Sequence, residues 1–226
     1  MNTQHKQYYY NQKSLNKIDE MPFDKVREGT FWSTMRASPI IFNCFNGLRF
    51  LIEPNEHTFY FMSAYILTFY SNDLLKKTFK SLYLNLGTNY IPGLGQGTRP
   101  LNSTNCGYFL KLDNPPSISF GMPSGHSQKV WFITTYFLLK LWENDNYNRN
   151  LKICNTILFG LIPYYVMYSR LRIEKCHTYG QLIIGEIIGC IMGFGTYYYE
   201  DYIIDTTKDY ILSHLDLTYF NLTYFG

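Results

Sequence analysis

The chain has 226 residues, enough for one domain with a sizeable core and a tail. Charged residues make up only 16% and aromatics 19%, with 22 Tyr and 17 Phe, against about 25% charged residues in a typical soluble domain. A net charge of +3, and 20 Lys and Arg with no run of five, exclude the electrostatic footprint of a nucleic-acid binder.

Residues 1–37 are polar and charged with no apolar h-region, so no cleavable leader is expected and the segment is read as a polar cytoplasmic N-terminal piece. From residue 38 apolar stretches recur at 38–52, 57–70, 74–91, 128–142, 153–168 and 181–199. The breaks fall at Glu53-Pro54-Asn55, Asn72-Asp73, 92–116, 143–150 and 170–175. This predicts six helices in a membrane domain over 38–202, followed by a tail over 203–226. A spanning helix needs about 20 apolar residues, whereas these carry Arg49, Lys76, Lys77, Lys80 and Glu186. Hydropathy therefore leaves a soluble helical protein open beside a membrane one. Glu186 is expected to face the bundle interior.

Basic residues argue for insertion. With six spans and the N-terminus inside, the inner segments hold most of the Lys and Arg, from Lys6 to Arg36, then Lys76, Lys77 and Lys80, then Lys140, Arg149 and Lys152, then Lys208. The opposite side holds Arg99, Lys111, Arg170, Arg172 and Lys175. That is the bias of a multi-pass membrane protein. Under this topology three polar islands share the outer face: "GQGTRPLNSTNCG" with Arg99, "PSGHS" with Ser124, Gly125 and His126, and "YSRLRIEKCHTYGQ" with Arg170, His177 and Gln181.

Phosphoryl transfer requires an in-line nucleophile, a proton donor for the leaving oxygen, and fixed positive charge or N–H groups around the equatorial oxygens. Arg99 and Arg170 are forked cations suited to phosphate. Ser124 and Gly125 stand at a helix start, where free N–H groups attract anions, and Gly125 would let backbone come close to the ligand. His126 and His177 supply an acid and a nucleophile.

These islands resemble the type 2 phosphatidic acid phosphatase family, whose motifs read Lys-x6-Arg-Pro, Pro-Ser-Gly-His and Ser-Arg-x5-His-x3-Asp. The layout matches over roughly residues 40 to 200. The resemblance implies an all-α, six-helix transmembrane bundle of the type 2 phosphatidic acid phosphatase and haloperoxidase kind. It implies a phosphatase with no metal or cofactor, in which His177 forms a phosphohistidine and His126 protonates the leaving oxygen and then activates water. Arg99, Ser124, Gly125 and Arg170 would hold the phosphate.

Three positions depart from the pattern. Pro92 stands where the first-motif Lys belongs, with Lys111 or Arg172 as conceivable substitutes. Six residues, not five, separate Arg170 from His177, through an extra loop residue or because Arg172 takes the phosphate. Gln181 replaces the Asp, so it can orient His177 but not neutralise it. "HTYGQ" is similar to the His-Thr-Trp-x-Gln of dolichyl diphosphate phosphatases, which points to a polyprenyl or dolichyl diphosphate substrate. Phosphatidate and sphingoid phosphates are alternatives, as are a soluble acid phosphatase or haloperoxidase and a catalytically inactive membrane scaffold of the same fold. The expected partners are a lipid phosphate and a membrane, with the site on the lumenal or extracytoplasmic side of an endoplasmic-reticulum-like membrane. If that face is lumenal, Cys106 and Cys176 are expected to form a disulfide. Asn102-Ser103-Thr104 is a glycosylation acceptor pattern in the same loop.

Overall fold

The computed structural model describes residues 29–101, 103, 106–108 and 119–214. The expectations for residues 1–28 and 215–226, for Lys111 and for Asn102 and Thr104 lie outside them. The helices are α1 (Thr30–Ile52), α2 (Glu56–Asn85), α3 (Gly125–Glu143), α4 (Arg149–Tyr168) and α5 (Tyr179–His214). A small antiparallel hairpin of β1 (Tyr90–Ile91) and β2 (Gly95–Gln96) follows α2, and a single π-type turn, Ser169–Ile173, extends α4.

Five α-helices, not six, thus occupy the described residues. The expected break at Asn72-Asp73 does not exist: α2 runs straight through it. Asn72 is buried inside the bundle, where its Nδ2 donates to Gln128 Oε1 of α3 at 2.7 Å, so a polar residue that reads as a turn signal is a satisfied interhelical contact. The stretch expected to continue as helix to residue 91 ends at Asn85, because Gly87 takes φ 63° and Tyr90–Ile91 pairs as a strand. At the other end, α5 passes residue 202 without interruption.

Three helix starts carry side-chain caps: Asn55 accepts from Thr58 N, Ser124 from Ser127 N, and Asn148 from Leu151 N. The central helix is α3. Phe132, Ile133 and Tyr136 of α3 pack on Phe61 and Tyr65 of α2 in the buried core. On the other side α5 presents Gly185, Gly189 and Gly193, every fourth residue, to the α3 carbonyls of Ser124, Gln128 and Phe132. A Cβ at 185 or 193 would come within 2.6 Å of an oxygen, so this stripe permits the close helix contact that sets the ends of α3 and α5 side by side.

α1 begins and α2 ends at the same end of the bundle as the starts of α3 and α5. Arg36 of α1 pairs with Glu174, and Tyr83 of α2 bonds Gly95 O. The N-terminal end of α1 therefore lies beside the three islands and not opposite them. With α2 unbroken, Lys76, Lys77 and Lys80 also move toward the island end, so the basic residues no longer gather opposite the islands as the expected orientation required. Glu186 is partly exposed; the buried carboxylates are Glu174 and Glu200.

Among the described residues two segments, Arg149–Ile173 and Tyr179–Ile211, are long and apolar enough to cross a membrane, where six were expected. Only 17% and 22% of their apolar windows are buried, whereas the core helix of a soluble protein is mostly buried. Ile183, Ile187, Ile191, Phe194 and Tyr198 form an exposed apolar row along α5, and Ile157, Leu158, Leu161 and Tyr164 another on α4. Faces of this kind are what a lipid environment covers.

Candidate active site

The three islands are stitched together by backbone. Gly121 N and Met122 N both donate to Gly97 O, and Thr98 pairs with Phe120, which joins the first island to the second. Ser124 N donates to Gln181 O at 3.0 Å and Ser127 Oγ to Leu182 O at 2.8 Å, which joins the second to the third. His126 and His177 come together at this junction, each nearly fully buried.

Gln181 fixes the state of His177. Its Nε2 faces the carbonyl oxygens of Gln96, Gly97 and Thr98 at 2.8, 3.4 and 2.7 Å, so its Oε1 must face the other way, 3.0 Å from His177 Nδ1. An amide oxygen only accepts, so Nδ1 carries the proton and Nε2 keeps its lone pair. Arg99 Nη1 lies 3.1 Å from that Nε2 and donates to Cys176 O at 2.9 Å. Burial, reinforced by the charges of Arg99 and Arg170, holds the His177 pKa well below its usual 6.5, so the ring is neutral. Arg99, lowered by burial to about 10, stays cationic at neutral pH. The three carbonyls also explain the departure from Asp: a carboxylate there would face oxygens with nothing to donate.

Arg170 is fully buried and Arg172 exposed, so of the two it is Arg170 that lies among the buried residues of the junction. Arg170 donates to the carbonyls of Cys106 and Gly107, while its Nε, together with the nearby Ser169 Oγ and Thr178 Oγ1, is buried without a hydrogen-bond partner. Unpartnered buried donors are rare and suit an anion. The extra residue before His177 is absorbed by the π-type turn. Glu174 N bonds Ser169 O, five residues back, and Lys175 takes a φ of 51° so that Cys176 N and His177 N both reach Arg170 O. Cys106 and Cys176 are disulfide-bonded with Cα atoms 5.5 Å apart, as expected from the lumenal reading.

Ser124 is buried and its hydroxyl caps α3. Gly125 serves a contact the sequence did not reveal: a Cβ there would lie 2.7 Å from Asn72 Oδ1, so its small size admits α2. His126 Nε2 lies 3.1 Å from the carbonyl of Arg36, which makes it the protonated nitrogen, and the ring packs on Tyr108 at 4.8 Å between centroids. Tyr108 in turn accepts from Lys129, whose ammonium sits over the Phe69 ring.

One further cation stands near the site that was not among the candidate site residues. Lys76 of α2 lies close enough for its charge to act on Arg99, Arg170 and His177. It stands 23 positions before Arg99, with the β1–β2 hairpin between, so no fixed-spacing motif would find it. Among the described residues no group of three or more His, Cys, Asp and Glu side chains converges to hold a metal ion.

A mostly helical fold that gathers two neutral histidines, two arginines and a lysine around buried unpartnered donors defines a phosphoryl-transfer class of site. The chain belongs to the PAP2 superfamily, whose model matches residues 54–205. It is 28% identical over 131 residues to dolichyldiphosphatase 1 of Homo sapiens, covering 54% of this chain and 51% of the relative. Identity is 30% over 119 residues to dolichyldiphosphatase 1 of Callithrix jacchus, covering 49% and 46%. It is 32% over 78 residues to the chloroplastic lipid phosphate phosphatase epsilon 1 of Arabidopsis thaliana, covering 33% and 27%. The chain thus spans about half the length of the dolichyldiphosphatase relatives it matches. No solved structure matches it significantly.

Proposed function

We propose that the chain is a membrane lipid phosphatase acting on a phosphate or diphosphate monoester through a phosphohistidine, with a polyprenyl diphosphate as the favoured substrate. One observation carries this reading: His177 is held as the Nδ1–H tautomer by Gln181, with its Nε2 lone pair beside Arg99. An arriving phosphate takes the Arg99 N–H, and Nε2 attacks phosphorus in line. Arg99, Arg170, Lys76 and the free N–H groups at the start of α3 stabilise the charge on the equatorial oxygens. His126 takes a proton at Nδ1 from the phosphate monoanion as it binds, gives it to the leaving oxygen, and then accepts one from the water that cleaves the phosphorus–nitrogen bond.

The dolichyldiphosphatase relatives and the Gln at 181 support the diphosphate substrate. Phosphatidate is the second reading, supported by the relative named a lipid phosphate phosphatase. The exposed apolar rows of α4 and α5 support a membrane setting, and the disulfide supports a site end facing an oxidising compartment.

The test is phosphate release by the purified protein in detergent, from geranylgeranyl diphosphate and from phosphatidate. Release from at least one is expected, with His177→Ala slower by roughly a thousandfold or more. Equal release by wild type and variant would remove His177 from the chemistry, and no release from either would favour the inactive scaffold.

A further inference from the structure

α1 lies entirely before the residues that match the family, yet it reaches the site. We propose that its Met35–Pro39 turn is a positioning element for His126, with Pro39 as the residue that makes it possible. Arg36 contributes at both of its ends. Its carbonyl accepts the Nε2 proton of His126 at 3.1 Å. Its guanidinium grips Glu174 Oε1 through Nε at 2.8 Å and Nη2 at 2.6 Å, both side chains being buried, and Glu174 stands three residues before His177. One residue of α1 thus touches the segments that bear both histidines.

A carbonyl inside a helix normally faces along the axis toward the N–H four residues on. Proline has no N–H, and its ring crowds the carbonyl four residues back, so it opens the turn in which it stands. Pro39 lies inside α1 and leaves Met35 O without its ladder partner; Ser38 Oγ takes that oxygen at 2.9 Å. Tyr65 OH holds Pro39 O at 2.7 Å, which anchors the opened turn to α2. Arg36, next to Met35 in this turn, is thereby able to offer its carbonyl sideways to His126. The consequence is chemical: with Nε2–H committed to Arg36, the other nitrogen, Nδ1, is the one free to take a proton from the bound phosphate monoanion and deliver it to the leaving oxygen.

The inference rests on the phosphatase reading, so its test runs Pro39→Ala beside wild type and His177→Ala. Alanine restores the N–H and is a better helix former, so the variant is expected to fold with a Tm no lower than wild type. Its kcat/KM for phosphatidate, whose alkoxide leaves poorly without a proton, should fall about tenfold or more. For p-nitrophenyl phosphate, whose phenolate leaves unaided, the change should stay within about twofold. Losing an acceptor for Nε2–H also favours the unprotonated ring, so the alkaline limb of kcat/KM for phosphatidate should move to lower pH. Equal effects on the two esters, or none, with wild type active and dependent on His177, would overturn the positioning role and leave the phosphatase reading intact. A wild type without His177-dependent hydrolysis overturns both.

Discussion

At the level of single residues, the chemistry depends on which atom of each side chain is committed elsewhere. His177 has its proton placed by Gln181, and Gln181 has its oxygen placed by three carbonyls. Gln181→Glu tests this chain of constraint. The carboxylate would meet those carbonyls without a proton to give, and unsatisfied buried groups cost about 1–3 kcal/mol each. Its charge would also favour the imidazolium, raising a His177 pKa that burial now holds well below 6.5. A depressed pKa keeps the nucleophile unprotonated into acid, so the acid limb of wild-type kcat/KM should lie below pH 6.5 and shift upward in the variant, with a lower plateau. A pH–rate profile unchanged by the substitution would show that Gln181 does not set the state of the ring. Every side chain in this relay except Lys76 was legible from the three islands, because each motif is a short local string. The partners of Gln181 were not, since backbone carbonyls 83 to 85 residues away leave no mark in composition.

Among the elements, the loops bearing the first and third islands are held by a covalent tie as well as by packing. The disulfide closes a span of 70 residues. The carbonyls of its two cysteines are the acceptors that fix Arg170 and Arg99. Replacing both with serine should cost about 2–4 kcal/mol of stability by loop-closure entropy and slow phosphate release, because both guanidinium groups lose a rigid anchor. Thermal unfolding in detergent and the release assay check this together; an unmoved Tm with full activity would reduce the tie to an ornament of the fold. The helices themselves were read correctly where apolar runs were flanked by caps, as for α3 and α4. The error in α2 had a physical source. Asn72 reads as a turn former in isolation, and only the Gln128 amide across the helix interface makes it acceptable in a buried helix.

For the whole molecule, the apolar rows along α4 and α5 support the proposed membrane setting. They lie on the outside of the bundle, where water would leave them uncovered. The protein is therefore expected to stay with the membrane pellet after alkaline carbonate extraction and to require detergent for release. Recovery in the carbonate supernatant would contradict a spanning arrangement. The far end of the bundle is closed by polar contacts, with buried Glu200 bonded to His57, Tyr136 and Lys140, so the anion-binding equipment is confined to the end where α1, α3 and α5 begin.

The amino-acid string alone was enough to specify a mostly helical chain of this family and the cysteine pair, and to single out the two histidines and two arginines that the fold brings together. Each of these is announced by a few neighbouring residues whose chemistry has little other use in that order. Folding was needed to show that α2 is one helix, that Lys76 comes near Arg99 and Arg170, and that α1 lends a carbonyl to His126 across 90 residues and a guanidinium to Glu174 across 138. Those relations depend on distances between atoms far apart along the chain, and a linear pattern carries no measure of distance until packing brings the helices together.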